Sequence, residues 1–395
     1  MRNPKRREID PDVAGEVQRD FDSRIREGVR AVIEQILQEE MDEHLQARYR
    51  ERTAARRGER NGHYTRDLIT PVGKIEQLQV PRDRAGEFLT EVFERYQRMT
   101  GNVEEAVLEM YLQGVSTRRV AEITNSLSGV RIGKDAVSRI ASRLEEELQA
   151  WRERQLEAAY PYLYLDAVYL KVNWGSHVGD LALLVAIGVN EQGYREVLAV
   201  ESAAGERKEA YRNLLKGLLE RGLHGVQLVI SDDHESIKSA VQTELSGVLW
   251  QRCIVHFERN ILAHVPAAEM RVVADDLKGI FAVRREETAR QLAQQFSERY
   301  GKRFSKAVEV LQRGLEQALS YLRFPSSHQR LLRSTNGLER LFVEVKRRTR
   351  VVGVFPNERS ASNLATAVML RASEEWALKR YLDMQPLEAM NANPQ

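Results

Sequence analysis

The stretch YPYLYLDAVYLKV, beginning at Tyr160, sets a carboxylate inside a run that is apolar at both even and odd positions. Tyr162, Tyr164, Asp166, Val168, Leu170 and Val172 share one face of the strand it predicts. Leu163, Leu165, Ala167 and Tyr169 share the other. A strand apolar on both faces is a central one, covered on both sides. An ionised Asp166 there is costly unless something pairs with it. A divalent cation, a structural hydrogen bond or an arginine would each serve. A second apolar run, GVQLVIS, ends on Asp232 in LVISDDHESIKSA. If the two strands are neighbours, Asp166 and Asp232 face each other, and carboxylates so placed repel unless a cation lies between them. Taken alone, Asp232 also reads as the N-cap of a helix over 234–246.

A third carboxylate is available in STNGLERLFVEVKRRTR, as Glu339 or Glu344. Lys346 follows Glu339 by seven residues, two turns along the same helical face. Glu344 is five residues on, points elsewhere, and suits pairing with Arg347 or Arg348. Oxygen-only ligation by Asp166, Asp232 and Glu339 favours Mg2+ or Mn2+. Two such ions about 4 Å apart activate a water or a 3′-hydroxyl for attack on a phosphodiester. A lysine beyond the carboxylates suits the phosphate.

The elements that must position these residues follow from periodicity. Residues 12–50 read as one long helix, with Ile25, Val29, Val32, Ile33, Ile36, Leu37, Met41 and Leu45 at three- and four-residue spacing. Residues 62–81 read as a β-hairpin turning at PVG. Residues 103–150 are helical, with Ser116 as N-cap of a helix over 117–127, a turn at SGVRIG, and a further helix from Lys134. Helix, glycine-containing turn and helix, with Arg118, Arg119, Lys134 and Arg139 near the helix starts, is a helix-turn-helix pattern, though a plain three-helix bundle shares it. From residue 160 come strands over 162–172, 180–190 and 194–201, with a hairpin turn at NEQG. A helix from Arg207, the strand ending at Asp232, a helix over 234–246 and the strand GVLWQRCIV follow. Residues 257–332 are helical throughout, and 335–383 are helical with a break at VFPN. Three antiparallel strands, then helix, strand, helix, strand and a late helix, is the order of a ribonuclease-H-like fold. The fold class is therefore multidomain α+β, with an all-helical insertion in the catalytic core. The expected domains are 1–60 (dimerisation and DNA contact), 61–155 (DNA binding), 156–256 (first part of the core), 257–332 (insertion) and 333–395 (final core helix and C-terminal helix).

Composition narrows the class. A chain of 395 residues with 42% hydrophobic and 30% charged residues is globular rather than disordered. No apolar run reaches the length of a membrane span, and MRNPKRREIDPD lacks the apolar core of a secretory signal. The single cysteine, Cys253, excludes an intrachain disulfide and fits a reducing, cytoplasmic setting. Net charge is only +2, but its distribution is uneven. Residues 47–66 hold seven arginines, among them Arg56, Arg57 and Arg60, against two glutamates, and KRRTR runs from Lys346 to Arg350. Each block is either a solvated face or a phosphate-contacting one.

The segments YLYLDAVYLKV, VISDDHESIKSAV, WQRCIVHFERNI and STNGLERLFVEVKRRTRVVGVFPN, with ERNGHYTRDLITPVGKIEQLQVPRDRAGEF upstream, resemble in order and spacing the prokaryotic Mutator-type insertion-sequence transposases, over about residues 20–385. The resemblance implies a transposase whose two Asp and one Glu metal ligands fall on Asp166, Asp232 and Glu339, with its basic residue on Lys346. Its Cys-x-x-His pair falls on Cys253 and His256; two ligands do not make a zinc site, and His256 is expected near bound DNA or packed at the base of the insertion. Arg347 and Arg348 are expected on DNA. The family's activity would be binding of the terminal inverted repeats of the element, nicking at the element end, and attack of the freed 3′-hydroxyl on another phosphodiester, on double-stranded DNA and by a homodimer. Strand register selects Asp232 over Asp233. A hydrolytic nuclease of the same fold and a catalytically inactive DNA-binding regulator are the other readings the residues allow.

Overall fold

The computed structural model describes residues 11–94, 97–113, 115–203 and 207–392. The first ten residues, whose composition argued against a secretory signal, lie outside them. The chain forms two compact units, 1–143 and 144–395.

In the first unit, α1 (Pro11–Leu45) precedes the antiparallel hairpin β1 (Arg60–Thr70) and β2 (Gly73–Asp83). The helix ends five residues short of the expected position 50, where Gln46 takes a positive φ of 51°. Leu37 of α1 packs with Leu68, Ile75, Leu78, Val80 and Phe93. Then come α2 (Gly101–Leu112), α3 (Thr117–Ser128) and α4 (Lys134–Glu153), the last crossing the unit boundary. Ser116 caps α3 by accepting from the Arg119 N–H, and Gly129 ends it at φ 68°, a left-handed position that glycine adopts without strain. Val107, Val120, Ile132, Val137 and Ile140 form the small core of these helices.

The second unit is built on β3 (Tyr162–Asn173), β4 (Val178–Val189), β5 (Arg195–Ala203), β6 (Leu228–Ser231) and β7 (Leu249–Arg252), with α5 (Arg207–Glu220) before β6 and α6 (Glu235–Glu244) after it. The sheet order is β5-β4-β3-β6-β7. β3, β4 and β5 are antiparallel, whereas β3, β6 and β7 are parallel. Leu163 and Leu165 pack against Leu214, Leu215 and Leu218 of α5 and Ile237 and Val241 of α6. The helices α7 (Ile254–Leu262), α8 (Met270–Ala282), α9 (Glu286–Tyr300), α10 (Ser305–Ala318) and α11 (Ser326–Leu332) follow β7. Then α12 (Asn336–Thr349) and α13 (Glu358–Ser373) return to the sheet, both against β3. On the face opposite α5, the Tyr162 hydroxyl meets His328 Nδ1 at 2.8 Å and the Tyr164 hydroxyl donates to the Leu331 carbonyl at 3.1 Å. Both faces of β3 are thus covered, as its two-sided apolar pattern requires. The strand expected over GVLWQRCIV is shorter than its composition suggests. It stops at Arg252, and Cys253 becomes the N-cap of α7.

Candidate active site

Asp166 lies mid-strand on β3, opposite Val185 of β4. The parallel register pairs Tyr162, Tyr164 and their neighbour with Leu228, Ile230 and Val229. Carried two residues past Ile230, the same offset sets Asp232 level with Asp166. Side chains alternate across a strand, so both carboxylates fall on the sheet face that carries Tyr162 and Tyr164. That is the face α12 covers, and Glu339 stands in the first turn of α12. His256, one turn into α7, places Nε2 3.6 Å from Glu339 Oε1.

These four groups feel one another's charge. Burial, then repulsion from Asp232 and Glu339, raises the Asp166 carboxyl to about 6, against the Ala167 N–H that donates to its Oδ1 at 2.8 Å and against His256. Burial also raises Asp232, opposed by His256, His234 and Arg252. His256 is pushed up to about 8, first by the Cys253 side chain and further by Asp166 and Asp232. His256 is therefore the counter-charge of the carboxylate cluster, a role that neither the expectation of DNA contact nor that of packing anticipated. The Cys-x-x-His spacing was the only signal for it.

Asp232 and Asp233 separate cleanly. Asp233 is ion-paired to Arg252 at 2.8 Å and to Lys238. Among the described residues Oδ1 of both aspartates is buried without a hydrogen-bond partner, so it is the two ion pairs that set Asp233 apart from Asp232. Nor does Asp232 cap the following helix: His234 is the N-cap residue of α6. A buried carboxylate oxygen without a hydrogen-bond partner, whose charge reaches Asp166, is the kind of hard donor a divalent cation takes. As placed, however, no three His, Cys, Asp or Glu side chains among the described residues close around a common metal position.

Further along α12, Lys346 is exposed. Glu344 binds both Arg347, at 2.8 Å, and Arg348, at 2.6 Å, and these bonds hold it down at about 2. The pairing expected for Glu344 is present with both arginines, so Arg347 and Arg348 are tied to a carboxylate. Cys253 is buried, and its sulfur accepts from the Thr335 N–H and hydroxyl, each at 3.4 Å.

In the first unit, Arg60 is engaged with Asp42 of α1 and donates to Gln38 at 3.2 Å, which joins the hairpin to the helix. Arg56 donates to the Gly58 and Glu51 carbonyls. Arg57 is exposed, and its backbone N–H donates to the Leu45 carbonyl. Arg118 and Arg119 are exposed beside Glu122, and Lys134 and Arg139 are exposed on α4. None of the described helices is long and apolar enough to cross a membrane.

Comparison with known proteins places the chain. The family described as Transposase, Mutator family matches residues 8–379. The transposase for insertion sequence element ISRM5 of Rhizobium meliloti is 42% identical over 92% of this chain and 91% of its own length. The transposase for insertion sequence element IS256 in transposon Tn4001 of Staphylococcus aureus is 39% identical over 87% and 89%. The transposase for insertion sequence element IS1081 of Mycobacterium tuberculosis is 33% identical over 88% and 84%. A chain of the Drosophila P element transposase strand transfer complex aligns at 10% identity and a TM-score of 0.34, covering 78% of this chain and 83% of that one, a likeness too loose to argue from. The match spans both compact units and every segment that carries the clustered carboxylates, and the chain belongs to the Mutator family of insertion-sequence transposases.

Proposed function

We propose that the chain cleaves and joins DNA at the ends of its own insertion sequence through a divalent-metal site held by Asp166, Asp232 and Glu339. The observation that carries this reading is the convergence of the three carboxylates, from three separate elements, on one face of the sheet with His256 as their counter-charge. Strand order, with three antiparallel strands continued by two parallel ones, supports a ribonuclease-H-like core interrupted by helices α7–α11. With two Mg2+ or Mn2+ ions bound, the site would supply an activated nucleophile and a polarised phosphodiester. Asp166 and Asp232 would fix the metal position from the rigid sheet, and Glu339 would close it from α12. Lys346, two turns beyond Glu339, would hold a neighbouring phosphate. Water attacks the phosphodiester at the element end and leaves a 3′-hydroxyl; that hydroxyl attacks a second phosphodiester, so one such bond replaces another and no nucleotide is consumed.

The helix-turn-helix formed by α3 and α4, with Arg118, Arg119, Lys134 and Arg139 exposed, is the proposed reader of the terminal inverted repeats. Arg56 and Arg57 would add phosphate contacts beside it. Two ends must be held together, so the working form is a homodimer. The outer face of α1 supports it: Val17, Phe21 and Val32 are each more than half exposed. The test places the gene with its flanking DNA on a plasmid and amplifies across joined element ends. Wild type yields a junction and Glu339→Gln yields none; a junction from both removes Glu339 from the chemistry.

A further inference from the structure

Cys253 has no direct part in the chemistry just proposed, yet it sits where three of the elements that carry it, β6, α7 and α12, meet. Cys253 and Thr335 are both fully buried. Cys253 is the N-cap residue of α7, which bears His256, and Thr335 is the N-cap residue of α12, which bears Glu339. Neither side chain caps its own helix. Instead the two meet each other, with the Thr335 N–H and Oγ1 both donating to Cys253 Sγ at 3.4 Å. The Cys253 N–H donates to the Ser231 carbonyl at 2.7 Å, one residue before Asp232, and the Ile254 N–H donates to the Arg333 carbonyl at 2.9 Å. The Thr335 carbonyl in turn accepts from the Glu339 N–H at 3.2 Å. One residue therefore links the end of β6, through its backbone N–H, to the starts of α7 and α12, the latter through its sulfur.

We infer that Cys253 is a positioning residue: its sulfur, held by Thr335, locks the first turns of α7 and α12 together and so fixes His256 and Glu339 against the Asp232 end of β6. The inference rests on the carboxylate cluster being the cleavage site. It accounts for a cysteine three residues before a histidine without any metal on the sulfur. A thioether or a bulky side chain does not fit a fully buried contact shared by two helix ends, whereas a hydroxyl keeps the acceptor. Because Glu339 sits on the first turn, a small tilt of α12 moves its carboxylate more than it moves the buried residues farther along the helix.

The test uses the full chain and three readouts. Cys253 is the only thiol, so its labelling by an aromatic disulfide reagent, without metal or DNA, reports how readily this buried sulfur opens to solvent, and the Thr335 variants show how far that contact holds it shut. Thr335→Val removes one donor at nearly constant volume and is expected to speed labelling about tenfold, with Thr335→Ser restoring the slow rate. Cys253→Ala is expected to slow single-turnover cleavage of a labelled element-end duplex by about ten- to a hundredfold, with the Kd for that duplex unchanged, and Cys253→Ser to stay within about threefold of wild type. Unchanged labelling in Thr335→Val overturns the inference, as does wild-type cleavage by Cys253→Ala. Equal loss in the Ser and Ala variants also overturns it, since an oxygen keeps the contact and the sulfur itself would then be acting. If Glu339→Gln proved fully active, the proposed cleavage site would fail, while the labelling comparison would still decide whether the two helix starts are locked.

Discussion

Asp166→Asn should make the metal-free protein more stable. In the folded chain burial and the neighbouring carboxylates raise Asp166 from its ordinary 3.8 to about 6. At about 1.4 kcal/mol per pH unit, that displacement weakens the fold by about 3 kcal/mol at neutral pH. The sign follows from where the proton sits. Below pH 3.8 the folded and unfolded states both hold it, and nothing is lost; between 3.8 and about 6 the unfolded chain ionises first and stability falls; above about 6 the loss is complete. Asparagine never ionises, and its Oδ1 can still accept from the Ala167 N–H. All four tryptophans, Trp151, Trp174, Trp250 and Trp376, lie in the unit that contains the site, so tryptophan fluorescence follows the unfolding of that unit alone. In chelator at pH 8 the Asn variant should melt about 6–12 °C above wild type, and the gap should vanish near pH 4. Added Mg2+ at about a hundred times its Kd should raise wild type by about 2.7 kcal/mol and leave Asp166→Asn unmoved, which nearly closes the gap. Identical melting of the two proteins in chelator at pH 8, or a gap that does not shrink on acidification, would refute the argument that this carboxylate is held at the expense of the fold.

Three further outcomes follow from the same contacts. Asp232→Asn should abolish strand cleavage and, in chelator at pH 8, raise the thermal midpoint, because burial raises this carboxyl as it does Asp166, whereas Asp233→Asn should lower stability by about 3 kcal/mol, because it strands Arg252, which is 3% exposed; fluorescence melts beside a cleavage assay separate the two. Gly314→Ala should destabilise by about 1–3 kcal/mol, since an added Cβ would stand 2.4 Å from Arg252 Nη1 and 2.7 Å from the Phe257 ring, both held in place; a denaturant midpoint checks it. Glu344→Gln takes away the carboxylate that Arg347 and Arg348 face, so nonspecific duplex affinity should rise and its salt dependence steepen by about one to two phosphate contacts in a titration over NaCl.

What could be read in the sequence, and what could not, divides along the range of the interactions. The two-sided apolar pattern around Asp166 identified the central strand because both faces of β3 are in fact covered, by α5 and α6 on one side and by α12 and α13 on the other. Ser116 and the SGVRIG turn marked α3 and α4 because caps are local: a hydroxyl reaching the Arg119 N–H and a glycine at φ 68° need no distant partner. The α7 boundary failed for the opposite reason. QRCIV has the composition of a strand, but β6 is only four residues long and β7 pairs with it from Leu249 to Arg252, so Cys253 has no ladder left to join. Its N–H turns to Ser231 and the chain enters a helix. Likewise Asp232 and Asp233 are neighbours of one type, and only Arg252 and Lys238, which come from β7 and α6, decide that Asp233 is the carboxylate neutralised by ion pairs. His256 was visible as a motif but not as a counter-charge, because the carboxylates it balances are 24 to 90 residues away along the chain and meet it only once α7 and α12 start from the same point. The acidic residues of such a site can be recognised by type and spacing, since the chemistry dictates them. The groups that hold those acids apart before a cation arrives are set by packing, and packing at a helix start is where this sequence was least legible.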